Sequence, residues 1–343
     1  MKRTKKKAEI LVVSSGCPSG IGPEVSVASA ARLTAGQCVL IGDLATLRLA
    51  AECVGLDPQR ITLWDGTPPP AGSVVVIQEG ARLHAKDRRP GRPTAVAGQA
   101  QLAYINAAYA LVRRLPGAAL VTAPVSKSAI AQSGARGSAR FRGHTEWLQR
   151  LDGAPSSIMC FVAPQLATSL VTTHLPLSRV PRQLTPERVA RATIQLAILM
   201  RGMGVAQPRL AVCALNPHAG EGELLGAEEV RAIAPGVSLA RRSLATKAHI
   251  EGPIGAETAY RKAYTGSYEG VVAMYHDQAT IPMKLVAFGQ AVNVTMGLGI
   301  VRTSVDHGTG YDIAWQNRAD PSGMLSAMQL ALRLQQSMRS SHR

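Results

Sequence analysis

Residues 270–284 read GVVAMYHDQATIPMK. The run from Gly270 to Met274 is short and continuously apolar, which suits a strand buried on both faces of a parallel sheet. It stops abruptly in a histidine, an aspartate and a glutamine, with a lysine further on. The same arrangement recurs along the chain. Ile10–Val13 leads into SSGCPSGIGPE, Val39–Ile41 into GD, Ala118–Val121 into TAPVSK and Ser169–Val171 into TTHLPL. Leu210–Leu215 leads into NPHAGEGE, Val271–Met274 into YHDQ, and Val292–Val294 into TMGLGIVRTSVDHGTG. Helical patterns lie between these runs. Gln99 to Leu115 sets Leu102, Ile105, Tyr109 and Val112 on one face. Thr185-Pro186 reads as a helix start, because threonine accepts from a free N–H and proline lacks the N–H that would go unused. Val189, Leu196 and Leu199 then point inward, and Met324 to Met338 reads as a terminal helix. Alternating strands and helices mean an α/β fold. In such folds ligands bind beyond the carboxyl ends of the strands, the edge that the polar clusters occupy. GTPPPAGS (66–73) and KDRRPGRPT (86–94) read as surface loops.

Composition narrows the function. The chain has 343 residues, 46% of them hydrophobic, enough for one large or two medium domains. It lacks an apolar run of about 18 residues, so no membrane span is expected. MKRTKKK at the start has no apolar h-region behind it and reads as a solvated basic tail. The five cysteines, Cys17, Cys38, Cys53, Cys160 and Cys213, form no CxxC pair. Their scatter favours core thiols in a reducing cytoplasm over disulfides. The formal charge of +16 attracts anions. Aromatics are only 4% and no recognition motif accompanies the charge, so a phosphorylated metabolite is a better partner than nucleic acid.

Three histidines follow strands in the same way: His174, His218 and His276. Imidazoles are common ligands of zinc and other divalent ions, and three protein ligands leave a position for substrate. Lys284 lies eight residues after His276, and Arg302 follows a glycine-rich turn. These supply a point charge and a bidentate fork for phosphate oxygens. Gly297 and Gly299 would let backbone N–H groups approach an anion, or simply form a tight turn. Gly20-x-Gly22 is not a dinucleotide fingerprint, since Val25 stands where the third glycine belongs and Pro23 removes an N–H. It reads as a strand–turn–helix start. Walker and GxSxG motifs are absent.

GCPSGIGPEV, TAPVSK, GHTEWL, TTHLPL, NPHAGEGELLGAEE, GPIGAETAY, YHDQATIPMK and NVTMGLGIVRTSVDHGTGYDIA occur in that order. Over roughly residues 9 to 335 the chain thereby resembles the 4-hydroxythreonine-4-phosphate dehydrogenase family of pyridoxal phosphate biosynthesis. The resemblance implies an isopropylmalate-dehydrogenase-like α/β/α fold of two lobes with a cleft between them. Residues 8–135 with 275–343 would form the first lobe. Residues 136–274 would form a central lobe carrying metal ligands and the dimer interface, and 1–7 a basic tail. A homodimer is implied, with one divalent ion shared across it: His174 and His218 from one subunit, His276 from the other. Zinc is the expected ion, with cobalt, nickel or magnesium as alternatives. Substrate contacts fall on His144, Thr145, Lys284, Asn293 and Arg302. NAD or NADP would lie near Asn293, Thr295, Gly297 and Asp306. Asp277 and Lys284 take the catalytic roles, Asp277 by orienting a histidine or relaying a proton. The implied reaction oxidises 4-phospho-hydroxy-L-threonine and decarboxylates the product to 3-amino-2-oxopropyl phosphate. Related dehydrogenases act on 4-phosphorylated threonate or erythronate, or on a cyclic dihydrodiol carboxylate. A lyase or phosphatase using the same histidines and cations without nicotinamide is the other enzyme class.

Four positions depart from the family pattern. Cys17 stands where Asp or Glu is usual, Glu257 replaces an Asp, Gly299 replaces a common Pro, and Trp315 occupies a frequent Gly position. From the sequence, Gly299 is expected to loosen the backbone, and the extra methylene of Glu257 to displace a carboxylate by about 1 Å.

Overall fold

A computed structural model describes residues 9–340 except 68, 71 and 72. The basic tail expected at 1–7, and part of the 66–73 loop, lie outside those residues. The chain forms two compact units, Met1–Pro155 with Leu298–Arg343, and Ser156–Gly297.

The first unit begins with β1 (Ile10–Ser14), α1 (Gly22–Arg32), β2 (Gln37–Gly42), α2 (Leu44–Cys53), β3 (Ile61–Leu63) and β4 (Val74–Gln78). There follow α3 (Ala95–Arg114), β5 (Ala119–Thr122), α4 (Lys127–Ala131) and α5 (His144–Asp152). The second unit contains β6 (Ile158–Val162), β7 (Ala167–Leu170), α6 (Val180–Gln183), α7 (Pro186–Gly202), β8 (Arg209–Cys213) and α8 (Ala234–Leu244). It continues with β9 (His249–Ile254), α9 (Ala256–Tyr264), β10 (Gly270–Ala273), α10 (His276–Ala287) and β11 (Val292–Met296). The chain then returns to the first unit with β12 (Val301–Val305) and α11 (Ser322–Ser340).

In the first unit the strand order is β3–β4–β2–β1–β5–β12, and every pairing is parallel. β1 is flanked by β2 on one side and β5 on the other, so the order reverses there. That reversal is the topological switch point at which open parallel sheets bind ligands. The continuous runs are buried on both faces: Leu11, Val12, Val13, Val39, Leu40, Ile41, Leu120 and Val121 are all fully buried. α3 packs Leu102, Ile105 and Val112 into this core. It starts at Ala95, earlier than the apolar period alone indicates, because Thr94 accepts from the Ala97 N–H.

In the second unit the order is β11–β6–β7–β10–β8–β9. β11–β6 and β6–β7 are antiparallel, while β7, β10, β8 and β9 run parallel. α7 starts as its sequence predicts: Thr185 accepts from the Arg188 N–H, Pro186 follows, and Val189, Leu196 and Leu199 are buried.

The sequence places divisions at 135/136 and 274/275, whereas the compact units divide at 155/156 and 297/298. Packing accounts for the difference. Phe141, Trp147 and Leu148 belong to the core of the first unit, and the Trp147 indole N–H donates to Asn106 Oδ1 at 2.8 Å. Ala279, Met283 and Ala291 belong to the core of the second.

The 86–94 stretch is a surface loop as expected, anchored through one buried residue. Asp87 is buried and accepts from the His84 N–H at 3.1 Å and the Thr94 hydroxyl at 2.7 Å. Ser19 reaches it from the loop after β1, donating to Asp87 O and accepting from the Gly91 N–H. Gly20 and Gly22 answer the same crowding. A Cβ on Gly20 would meet Thr309 O at 2.6 Å, and one on Gly22 would meet Ser15 O at 2.5 Å. Backbone packing requires these glycines, in keeping with the strand–turn–helix reading.

Candidate active site

The three strand-end histidines belong to the second unit, beyond the carboxyl ends of β7, β8 and β10. β10 lies between β7 and β8, so all three project from one edge of the sheet. His174 and His276 meet there, with ring centroids 5.6 Å apart. The pair comes together because β7 and β10 are adjacent. His276 opens α10, and its Nδ1 lies 2.8 Å from Asp277 Oδ1. A carboxylate oxygen accepts, so Nδ1–H donates and the lone pair stays on Nε2, the nitrogen left for a metal.

His218 sits on a turn after β8 whose backbone is unusual. Every residue from His218 to Glu223 has positive φ, from 43° to 84°. Left-handed backbone costs a non-glycine residue about 1–2 kcal/mol, so the turn needs a clamp. Glu229, 3% exposed, supplies it. Its Oε1 accepts from the N–H groups of Leu215 and Asn216 at 2.8 and 2.9 Å, and its Oε2 from the Asn216 amide at 2.9 Å. Burial alone would raise this carboxyl, but the hydrogen bonds from Asn216 and Leu215 outweigh it and hold the pKa below the usual range. Among the described residues no group of three or more His, Cys, Asp and Glu is gathered tightly enough to hold an ion. The His174–His276 pair and its orienting carboxylate therefore fit part of a metal site, with His218 on the neighbouring turn.

The first unit carries a separate cluster. α5 begins at His144 after Gly143, and no side chain caps it. His144 and Thr145 thus stand in its first turn, where backbone N–H groups lack intrahelical partners. Arg302 on β12 is 2% exposed, and its Nη2 donates to Thr122 Oγ1 at 2.6 Å. Burial pulls its pKa down to about 10 against the opposing charge of Glu146, leaving it protonated at neutral pH. Burial, and then the charges of Arg302 and Lys127, hold the His144 imidazole well below its ordinary range. Its Nε2 is buried with no hydrogen-bond partner among the described residues. A Cβ on Gly143 would lie 3.0 Å from Glu146 Oε2 and 3.7 Å from Lys127 Nζ, which places both side-chain ends at the start of α5.

The remaining predicted residues divide between the units. Asn293 and Thr295 lie on one face of β11, and Asn293 Oδ1 is buried with no partner among the described residues. Gly297 follows with φ 90°, and Asp306, half-buried, lies in the first unit just past β12. Lys284 is exposed near the end of α10, about 12 Å along the helix from His276. Near it in sequence are Ile281 and Leu285 on α10 and Phe288 just past its end, exposed by 65%, 83% and 82%.

The departures have physical accounts. Cys17 is fully buried, its thiol 3.5 Å from the Tyr311 hydroxyl, and burial raises its pKa. Glu257 is exposed on α9 and pairs with Arg261 at 3.0 Å. Gly299 does not loosen its turn: its N–H donates to Asp152 Oδ2 at 2.7 Å, a bond that proline cannot make. That N–H faces a resident carboxylate rather than an anion. Trp315 has φ 62°, the conformation glycine adopts freely. Its N–H donates to the buried Glu24 at 2.6 Å, and its indole donates to Pro18 O at 3.0 Å.

Two site residues carry no role in the sequence reading. Lys127 lies inside the quoted TAPVSK, and its signal is a cation just past a strand end. Glu229 lies in the quoted NPHAGEGELLGAEE segment, but its carboxylate acts on residues more than a dozen positions upstream, so spacing could not reveal it. No described helix is long and apolar enough to cross a membrane.

Comparison with known proteins gives a consistent likeness. The sequence model of the family described as pyridoxal phosphate biosynthetic protein PdxA matches residues 34–331. A 4-hydroxythreonine-4-phosphate dehydrogenase of Geobacter metallireducens is 39% identical over 337 residues, covering 96% of each chain. A D-threonate 4-phosphate dehydrogenase of Pectobacterium atrosepticum is 35% identical over 331 residues, covering 95% of this chain and 99% of its own. The crystal structure of a 4-hydroxythreonine-4-phosphate dehydrogenase from Klebsiella pneumoniae aligns with a TM-score of 0.78 at 33% identity, covering 96% of this chain and all of that one.

Proposed function

This chain belongs to the PdxA family of pyridoxal phosphate biosynthetic proteins, and from that membership we propose that it oxidises and decarboxylates 4-phospho-hydroxy-L-threonine. The observation that carries the metal-assisted part is the convergence of His174 with His276, whose Nε2 is freed by the Asp277 hydrogen bond. A divalent ion bound there, zinc first and otherwise cobalt, nickel or magnesium, would supply Lewis acidity for both the oxidation and the decarboxylation. NAD or NADP would take the hydride, on the side of Asn293, Thr295, Gly297 and Asp306. The residues of the chain hold and orient. His144, Thr145, Arg302, Asn293 and Lys284 bind the charged substrate and fix its C3 hydroxyl for hydride loss. Asp277 keeps His276 in one tautomer, or relays a proton through its own carboxylate. In the balanced sequence, the C3–H pair leaves as hydride and the hydroxyl proton goes to base. The bond to the carboxylate then breaks, carbon dioxide departs and the carbanion is reprotonated, giving 3-amino-2-oxopropyl phosphate.

The chain works as a homodimer in this reading, and the site is shared between copies. The exposed Ile281, Leu285 and Phe288 near Lys284 support it, since that much apolar surface at the end of α10 suits a partner. The five unpaired cysteines support a reducing cytoplasm. A second reading, oxidation of D-threonate 4-phosphate, is favoured by the Pectobacterium relative. Reduced-nicotinamide absorbance with each phosphate in turn tests both. Turnover of 4-phospho-hydroxy-L-threonine at least tenfold better supports the first reading, the reverse preference supports the second, and product without nicotinamide reduction refutes both.

A further inference from the structure

We propose that Lys127 is a further substrate-binding residue, a second full cation beside Arg302 for a phosphate monoester at the start of α5. TAPVSK follows β5, and β5 lies against β1 at the switch point of the first unit's sheet. Lys127 is therefore just beyond a carboxyl strand end, where such sheets bind ligands. Its side chain is exposed and has no hydrogen bond or ion pair among the described residues, and its Nζ stands close to the uncapped helix start. The second, independent observation is His144 Nε2, buried, unpartnered and in the same cluster.

Charge selects the ligand class. Lys127 and Arg302 contribute two positive charges, and the α5 N-terminus adds about half of one. Glu146 removes one, leaving about +1.5. A phosphate monoester carries about −1.5 to −2 at neutral pH, so it neutralises the cluster, whereas a single carboxylate leaves an excess. Neutral His144 then donates its Nε2–H to a phosphate oxygen.

The identity of the monoester rests on the dehydrogenase reading; the anion site rests on geometry alone. The test uses the full chain with Lys127→Met and Lys127→Arg, which replace an exposed, unpaired side chain. Inorganic phosphate binding is measured by calorimetry, the His144 ring titration by NMR, and KM and kcat with 4-phospho-hydroxy-L-threonine. Lys127→Met is expected to weaken phosphate binding and raise KM by tenfold or more, the range for one charged hydrogen bond, with kcat changed by less than about threefold. The His144 titration should move up toward its ordinary range, and Lys127→Arg should restore most of each effect. Phosphate binding unchanged in Lys127→Met, or undetectable in the parent chain, overturns the proposal, as does an unmoved His144 titration. If no phosphorylated hydroxy acid is turned over, the phosphate and NMR measurements still decide the role of Lys127, separately from the function.

Discussion

Removing the Glu229 carboxylate should loosen the His218 turn and the metal site together. Glu229→Ala deletes three hydrogen bonds, two from backbone N–H groups and one from the Asn216 amide. At about 1–1.5 kcal/mol each, the loss is about 3–4.5 kcal/mol. That is a large share of the ~5–15 kcal/mol that holds a typical domain folded. At roughly 2–4 °C per kcal/mol the melting midpoint falls by about 6–18 °C. The left-handed run from His218 to Glu223 loses its clamp at the same time, so zinc affinity should fall at least tenfold, as for loss of an outer-shell support. Calorimetric melting and a competitive chelator titration read the two effects. Acid sensitivity gives an internal check. The Glu229 pKa is lowered in the fold, so its contribution is complete above the ordinary glutamate value of about 4.3 and disappears as pH falls through the lower folded value. Glu229→Gln should lack that acid-linked loss. A midpoint within 2 °C of the parent, with unchanged zinc affinity, would refute the clamp.

Gly299→Pro should cost about 1.5–3 kcal/mol, because a hydrogen bond to the Asp152 carboxylate is lost; denaturant unfolding that places it level with the parent contradicts this. Trp315→Gly relieves a left-handed residue but loses the indole bond to Pro18, whereas Trp315→Ala loses the bond and keeps the strain. The glycine variant should therefore be more stable than the alanine variant by about 1 kcal/mol, and the opposite order in thermal melts would show that backbone strain does not matter there. Leu285→Glu with Phe288→Glu should convert a dimer to a monomer in light scattering; a dimer that survives both charges, or a parent that is monomeric, removes the end of α10 as the contact.

Seven of the twelve described strands were legible because burial on both faces demands continuous apolar runs. All seven runs are strands, from Ile10–Val13 to Val292–Val294. β12 was not separated from the glycine-rich stretch before it, since Val301–Val305 carries Arg302 and two hydroxyl residues in a strand that is nonetheless largely buried. The histidines were legible as a set because each ends a strand, but their pairing was not. Which two meet depends on strand order, and sequence does not order β7, β10 and β8. The 86–94 stretch read as a loop because prolines and charges dominate it. Its anchoring depends on Asp87 meeting Ser19 and Thr94, the first of them far away in sequence. Gly299 misled for a similar reason: proline and glycine preferences describe the local backbone, while Asp152 acts on it from elsewhere.

The most direct measurement of the central claim is the stoichiometry of carbon dioxide released to nicotinamide reduced, with 4-phospho-hydroxy-L-threonine, zinc and NAD or NADP, in parent and His276→Ala chains. A ratio of about one in the parent, with both products lost in the variant, is the predicted result. Reduction without carbon dioxide, or full activity in His276→Ala, would contradict a decarboxylating dehydrogenase built on this histidine pair.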